Sequence, residues 1–294
     1  MTDRESSSLN TRVTFIVLAL FWLTNLTIPP VRSETDHPLY QFIKQDQTYD
    51  FSYLPQPTGV TSGCTQNIQL IATTPESVIL ANALVDDFLN DGRLAPLHIC
   101  LHRPIWIEST ALKCHFDNNT TRSECDLSRI KPWLSINAIS HIAIVLDKGK
   151  AYTYQGIMYL DTEDDYDVFV HELAHFAGFM DEYALSSSSA NQHCDPVIGI
   201  NLIRQNGESE AKQTNLALWE AQGLKYTTST AKTCESVDVV TIKPSDKLTF
   251  MEYHNIAYIP DIYLSLWHHQ LISGYQYNLM RLRLGLPVLA LPDL

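Results

Sequence analysis

Residues 167–183 read DVFVHELAHFAGFMDEY, a run that leaves its segment few ways to fold. His171 and His175 stand four apart, which on a helix sets both imidazoles one turn apart on a single face. Phe169, Leu173 and Phe176 repeat at i, i+4 and i+7 on another face, so the same helix has an apolar side for a core. The spacing predicts a helix over about 165–179. Gly178 is placed to end it in a left-handed turn, and Asp181, six residues after His175, can then swing back toward the histidines. The order His171-Glu172-Leu173-Ala174-His175 is the HExxH pattern, in which two imidazoles hold one zinc ion. Three protein ligands with one open position make a catalytic site, whereas structural sites are closed by four. Glu172 is rotated aside to face a metal-activated water and take its proton as the water attacks a carbonyl. The expected ligands are therefore His171, His175 and Asp181, around one catalytic Zn2+. The competing reading has Glu182, His193 or His254 complete the shell, leaving Asp181 as a solvated carboxylate at the helix exit.

The segment HELAHFAGFMD fits HExxHxxGxxD and resembles the zinc signature of the metzincin peptidases, in the variant where Asp replaces the third His, as in snapalysin-type proteases. Thr249-Phe250-Met251-Glu252-Tyr253 resembles the methionine turn of that family, which lies beneath the zinc. In its astacin and serralysin branches the Tyr two residues after the Met helps stabilise the transition state. The resemblance thus implies a structural role for Met251 and a catalytic one for Tyr253. The competing readings are a core methionine filling an irregular gap and an ordinary half-buried tyrosine. Asp181-Glu182-Tyr183 is also similar to the close of the zinc motif in IgA-cleaving metallopeptidases. The chain departs from the family in its third ligand, in a longer stretch from His175 to Met251, and in the bulk of Phe250.

Elements around the motif suit such a fold. Asn67–Thr73 has strand character, and Pro75 to Asn90 is a helix stopped by Asp91-Gly92. Strand-like pieces follow at Leu97–Leu101, Ile105–Glu108, Ile142–Leu146 and Tyr152–Leu160, the last expected as the edge strand on which a peptide would lie. Pro260-Asp261 opens a further helix, IYLSLWHHQLI, which the resemblance equates with the family's C-terminal helix. The expected class is α+β, a metzincin-like zincin. Its twisted, mostly parallel sheet and two helices form the N-terminal lobe (64–180), and an irregular C-terminal lobe (181–294) ends in a helix.

Residues 13–23, VTFIVLALFWL, follow Arg4 and Arg12 and are too short to span a membrane, so 1–33 reads as a secretory signal peptide, with an uncleaved anchor as the alternative. Residues 34–63 read as an arm packed on the body. Six cysteines, all beyond residue 33 and none in a CxxC pair, favour disulfides in an exported chain. The favoured pairs are Cys114–Cys125, Cys64–Cys100 and Cys194–Cys234. A secreted or periplasmic monomer is expected, with no stable membrane partner. With 45% hydrophobic and 18% charged residues the chain can fill a core. A net charge of −13 excludes the basic surface that nucleic acid requires.

The cluster Glu163, Asp164, Asp165 and Asp167 can bind Ca2+ or simply cap the following helix. His268 and His269 read as the wet edge of their helix, and Asn118-Asn119-Thr120-Thr121 holds two overlapping glycosylation sequons. The combined expectation is a secreted zinc endopeptidase acting on a protein or peptide substrate. The alternatives are a non-catalytic zinc-bearing envelope or adhesion protein and, more distantly, a zinc amidase.

Overall fold

Seven successive buried residues, Gln66–Ala72, form the central strand of the molecule, and a strand buried on both faces must be covered on both. The computed structural model describes residues 63–194, 199–205 and 210–291, together with 44–45, 48–49, 54 and 57. The expected signal peptide and nearly all of the expected arm lie outside the described residues, and every described residue belongs to the unit 41–294. A two-residue ribbon, β1 (Lys44–Gln45) with β2 (Thr48–Tyr49), precedes the central strand, β3 (Gln66–Ala72). The other strands of the main sheet are β4 (Ile99–Trp106), β7 (His141–Val145), β8 (Tyr152–Tyr154) and β9 (Ile157–Leu160), in the order β4-β3-β7-β9-β8. The first four are parallel and β8 runs antiparallel along the edge. The protein is thus α+β around a mostly parallel five-stranded sheet.

Ile68, Leu70 and Ala72 of β3 and Ala143 and Val145 of β7 face one core, which is covered by α1 (Pro75–Asn90) and α3 (Tyr166–His175). Thr74 fixes the start of α1: its Oγ1 accepts from Ser77 N, and Pro75 occupies the first turn, where no N–H is needed. Ile71, Ile142 and Ile144 face the opposite core. That core contains the short helix α2 (Lys131–Ile136) and Met280 of α7 (Leu279–Leu284). Arg281 of α7 is buried and donates to the carbonyls of Leu134, Asn137 and Ile139, tying the chain's end to α2.

Several expectations are corrected. The pieces Leu97–Leu101 and Ile105–Glu108 are one strand, β4, because Pro104 sits on the outermost strand of the sheet, where a missing N–H is tolerated; a register shift lies opposite, between Gln69 and Ile71. Tyr152–Leu160 is a hairpin, turned at Gln155 and Gly156, both with positive φ (50° and 79°) as a type I′ loop requires, so at this side of the sheet the edge is β8 and β9 lies inside it. Helix α2 was not anticipated. The hairpin β5 (His115–Asp117) with β6 (Arg122–Glu124) is a separate two-stranded piece.

The segment between α3 and the expected helix at Pro260-Asp261, which forms as α6 (Asp261–Ile272), was expected to be irregular but contains α4 (Ser187–His193), α5 (Glu210–Ala221) and a three-stranded antiparallel sheet. Its strands, β10 (Ile203–Arg204), β11 (Ser229–Ala231) and β12 (Thr241–Lys243), have β12 at the centre. The first core crosses the expected lobe boundary at 180/181, since it includes Trp219, Phe250, Met251, Tyr263 and Trp267 as well as α1 and α3. All three favoured disulfides form, Cys64–Cys100, Cys114–Cys125 and Cys194–Cys234, and suit an oxidising compartment. No helix among the described residues is long and apolar enough to cross a membrane.

Candidate metal centre

Helix α3 begins at Asp165, whose carboxylate accepts from Val168 N, and its stripe of Phe169, Leu173 and Phe176 is fully buried in the first core. That packing fixes the rotation of the helix and turns His171, Glu172 and His175 toward one another, each offering a ligand atom within 4.8 Å of the others. The helix stops at His175, four residues earlier than the apolar pattern predicted. Gly178 (φ 84°) takes the left-handed position, with Gly178 N donating to His175 O and Phe179 N to Ala174 O, the two bonds of a Schellman stop.

This turn returns Asp181 to the histidines. Its Oδ1 lies 2.9 Å from His171 Nε2 and 3.3 Å from His175 Nε2. Ligands held tetrahedrally at about 2.0–2.1 Å from a zinc ion are separated by about 3.3 Å, so the Asp181 oxygen stands at that spacing from His175 Nε2 and somewhat inside it from His171 Nε2. Both imidazoles are oriented from behind. Their Nδ1 atoms lie 2.9 Å from backbone carbonyls, Phe250 O for His171 and Phe179 O for His175. A carbonyl only accepts, so each Nδ1 carries the proton and each Nε2 is turned to the shared point. Burial opposes charge on Asp181, yet His175 and His171 outweigh it and hold the carboxyl far below its usual range. Burial likewise lowers His175, but Asp181 overrides it and leaves the imidazole raised to about 9.

Glu172 is buried, and burial raises its pKa against the opposing pull of His175 and His171. Its Oε2 has no hydrogen-bond partner among the described residues. An orphaned carboxylate oxygen beside two imidazoles and a second carboxylate is costly unless a cation or its water completes the group. The donor set therefore fits a zinc ion: two nitrogens and an oxygen as ligands, with a further carboxylate beside the open position.

The other candidate third ligands are placed elsewhere. Glu182 is fully buried, with Oε1 accepting from Asn201 Nδ2 and the Tyr263 hydroxyl, and Oε2 from Thr249 Oγ1 and Lys243 Nζ. Both of its oxygens are committed to the interior. His193 and His254 are exposed, on α4 and just past Tyr253. Met251 is fully buried in a turn closed by Glu252 N and Tyr253 N on Thr249 O, and its carbonyl accepts from Glu182 N. The turn thus lies against His171 through Phe250 O and against the Asp181 segment through Met251 O. Phe250, bulkier than the family pattern, stacks on Trp267 with ring planes 5° apart. Tyr253 is 47% exposed, and no hydrogen bond or ring contact joins its side chain to the centre among the described residues.

Four residues at or behind the centre had no legible role in the sequence. Tyr183 lies with its ring nearly parallel to His171, centroids 6.4 Å apart. Asn201 pairs with both the N–H and C=O of Met180, Thr233 Oγ1 donates to Asp181 O, and buried Lys243 bridges Glu182 and Glu252. The acidic cluster before α3 serves its own backbone: Asp165 caps the helix and Asp164 Oδ2 accepts from Asp161 N. Burial pushes Asp164 up to about 6. Among the described residues, Glu163, Asp164, Asp165 and Asp167 do not form a convergent group of potential metal ligands. Compared with family models, curated proteins and solved structures, the chain matches none.

Proposed function

We propose that the chain is a secreted zinc-dependent endopeptidase of metzincin type, with His171, His175 and Asp181 as ligands and Glu172 as general base. The observation that carries this reading is the convergence of His171 Nε2 and His175 Nε2 on one Asp181 oxygen, beside a buried Glu172 oxygen that lacks a partner. When bound, zinc supplies positive charge that polarises a carbonyl and lowers the pKa of water. Glu172 takes a proton from the attacking water and returns it to the departing amine, a task suited to a carboxylate whose pKa burial has raised.

The proposed place for the substrate is the edge strand β8. In a two-residue hairpin the closing pair, Tyr154 and Ile157, exchanges hydrogen bonds, so the backbone of Thr153 faces away from β9 and is open to an extended peptide. The Thr153 hydroxyl donates to Glu172 O, which ties this edge to α3 and sets a peptide on β8 alongside the general base. Tyr253, two residues past Met251 on the turn that holds His171, supplies a half-exposed phenol for the oxyanion. A purely structural zinc site has no use for the orphaned Glu172 oxygen, which favours catalysis over a binding role. The test is incubation of the zinc-loaded protein with a mixed peptide library, with and without chelator. Cleavage that chelation abolishes and added zinc restores supports the reading; zinc-loaded protein that binds the ion and cuts no peptide overturns it.

A further inference from the structure

Asp181 reaches the two histidines from a segment outside any helix or strand, so its place must be fixed by bonds to other parts of the chain. The next residue supplies them. Glu182 is fully buried, and its carboxylate accepts from Asn201 Nδ2 (2.9 Å) just before β10, the Tyr263 hydroxyl of α6, Thr249 Oγ1 of the methionine turn and Lys243 Nζ (3.2 Å) of β12. Its N–H donates to Met251 O in the same turn, and its carbonyl accepts from Lys232 N. Lys243 also lies 2.6 Å from Glu252, which carries the anchor on to the end of that turn. An apolar side chain of similar size could fill this place at no greater cost, whereas the carboxylate joins these elements in one arrangement only. Asp181 stands one residue from the anchor, with Thr233 Oγ1 holding its carbonyl.

We infer that Glu182 is the positioning residue of the third zinc ligand: by locking the segment to the methionine turn and α6, it sets the point at which Asp181 meets the ion. This rests on the metal reading proposed above. Zinc affinity, measured by competition with a chromophoric chelator, tests it without reference to activity, and the visible spectrum of the cobalt-substituted protein reports the ligand geometry. Glu182→Gln is expected to weaken zinc binding about 10- to 100-fold and to change the cobalt spectrum. Tyr263→Phe keeps its ring between Phe179 and Phe250 and removes one donor from Glu182. It is expected to weaken zinc binding about 3- to 10-fold, and it carries the test alone if Glu182→Gln does not fold. In an Asp181→Ala background Tyr263→Phe is expected to cause no further loss, because the ligand it acts through is gone. Two results overturn the inference: a Tyr263→Phe variant of lower metal-free stability but wild-type zinc affinity and cobalt spectrum, which assigns the network to folding alone, or losses from the Asp181 and Tyr263 changes that simply add. Absence of zinc binding by the wild-type chain is a separate outcome that overturns the metal reading itself.

Discussion

His171, Glu172 and His175 were legible in the sequence because their relation is local: one helical turn, set by backbone geometry. Asp181 was legible only as one of four candidates, since its return depends on the Gly178 turn, and the choice is made by where Glu182 goes. The buried Lys243 and Asn201 claim both Glu182 oxygens from 61 and 19 residues away in the chain, and no spacing rule announces contacts of that kind. Asp181→Ala is expected to weaken zinc binding at least tenfold, read by metal titration of the purified variant. Unchanged affinity places the third ligand on another residue.

At the scale of elements, α1 and α6 were read nearly to the residue, because Thr74-Pro75 and Pro260-Asp261 are explicit helix starts. The hairpin β8–β9 was merged into one strand because its turn residues, Gln155 and Gly156, interrupt an apolar run only briefly. Helix α3 was extended past His175 because Phe176, Ala177 and Phe179 continue the apolar pattern that Gly178 breaks. That glycine links the element to the site. Its φ of 84° disfavours any side chain, and a Cβ there would lie 2.6 Å from Tyr275 Cε1. Gly178→Ala is therefore expected to cost about 1–3 kcal/mol of stability and, by moving Phe179 O and Asp181, to weaken zinc binding. Urea melts and zinc titration of the variant check both, and a variant with wild-type stability contradicts the account of the turn.

Over the whole molecule, the sheet was legible from its apolar strands, whereas the continuity of the core across 180/181 was not, because it depends on Trp219, Phe250 and Trp267 meeting α1 and α3 from distant parts of the chain. The same core predicts a global pH response. His141 of β7 is wholly buried against the Phe176 ring, centroids 4.4 Å apart, and burial lowers its pKa to about 3 from an ordinary 6.5. The unfolded chain binds this proton first, so stability falls as pH drops below about 6.5, by at most about 1.4 kcal/mol per pH unit from this group, until His141 protonates in the folded state near pH 3. Urea melts between pH 7 and 4 are expected to show a shallower acid limb for His141→Gln than for wild type; equal slopes contradict the assignment. The convergent centre, the edge strand β8 and the three disulfides are the observations behind the proposed exported hydrolase, and one comparison tests that proposal most directly. Zinc-loaded wild type and Glu172→Gln are incubated with the same peptide library, and cleavage products are counted by mass spectrometry. The account predicts one zinc per chain in both proteins and cleavage by wild type alone; full cleavage by Glu172→Gln contradicts it.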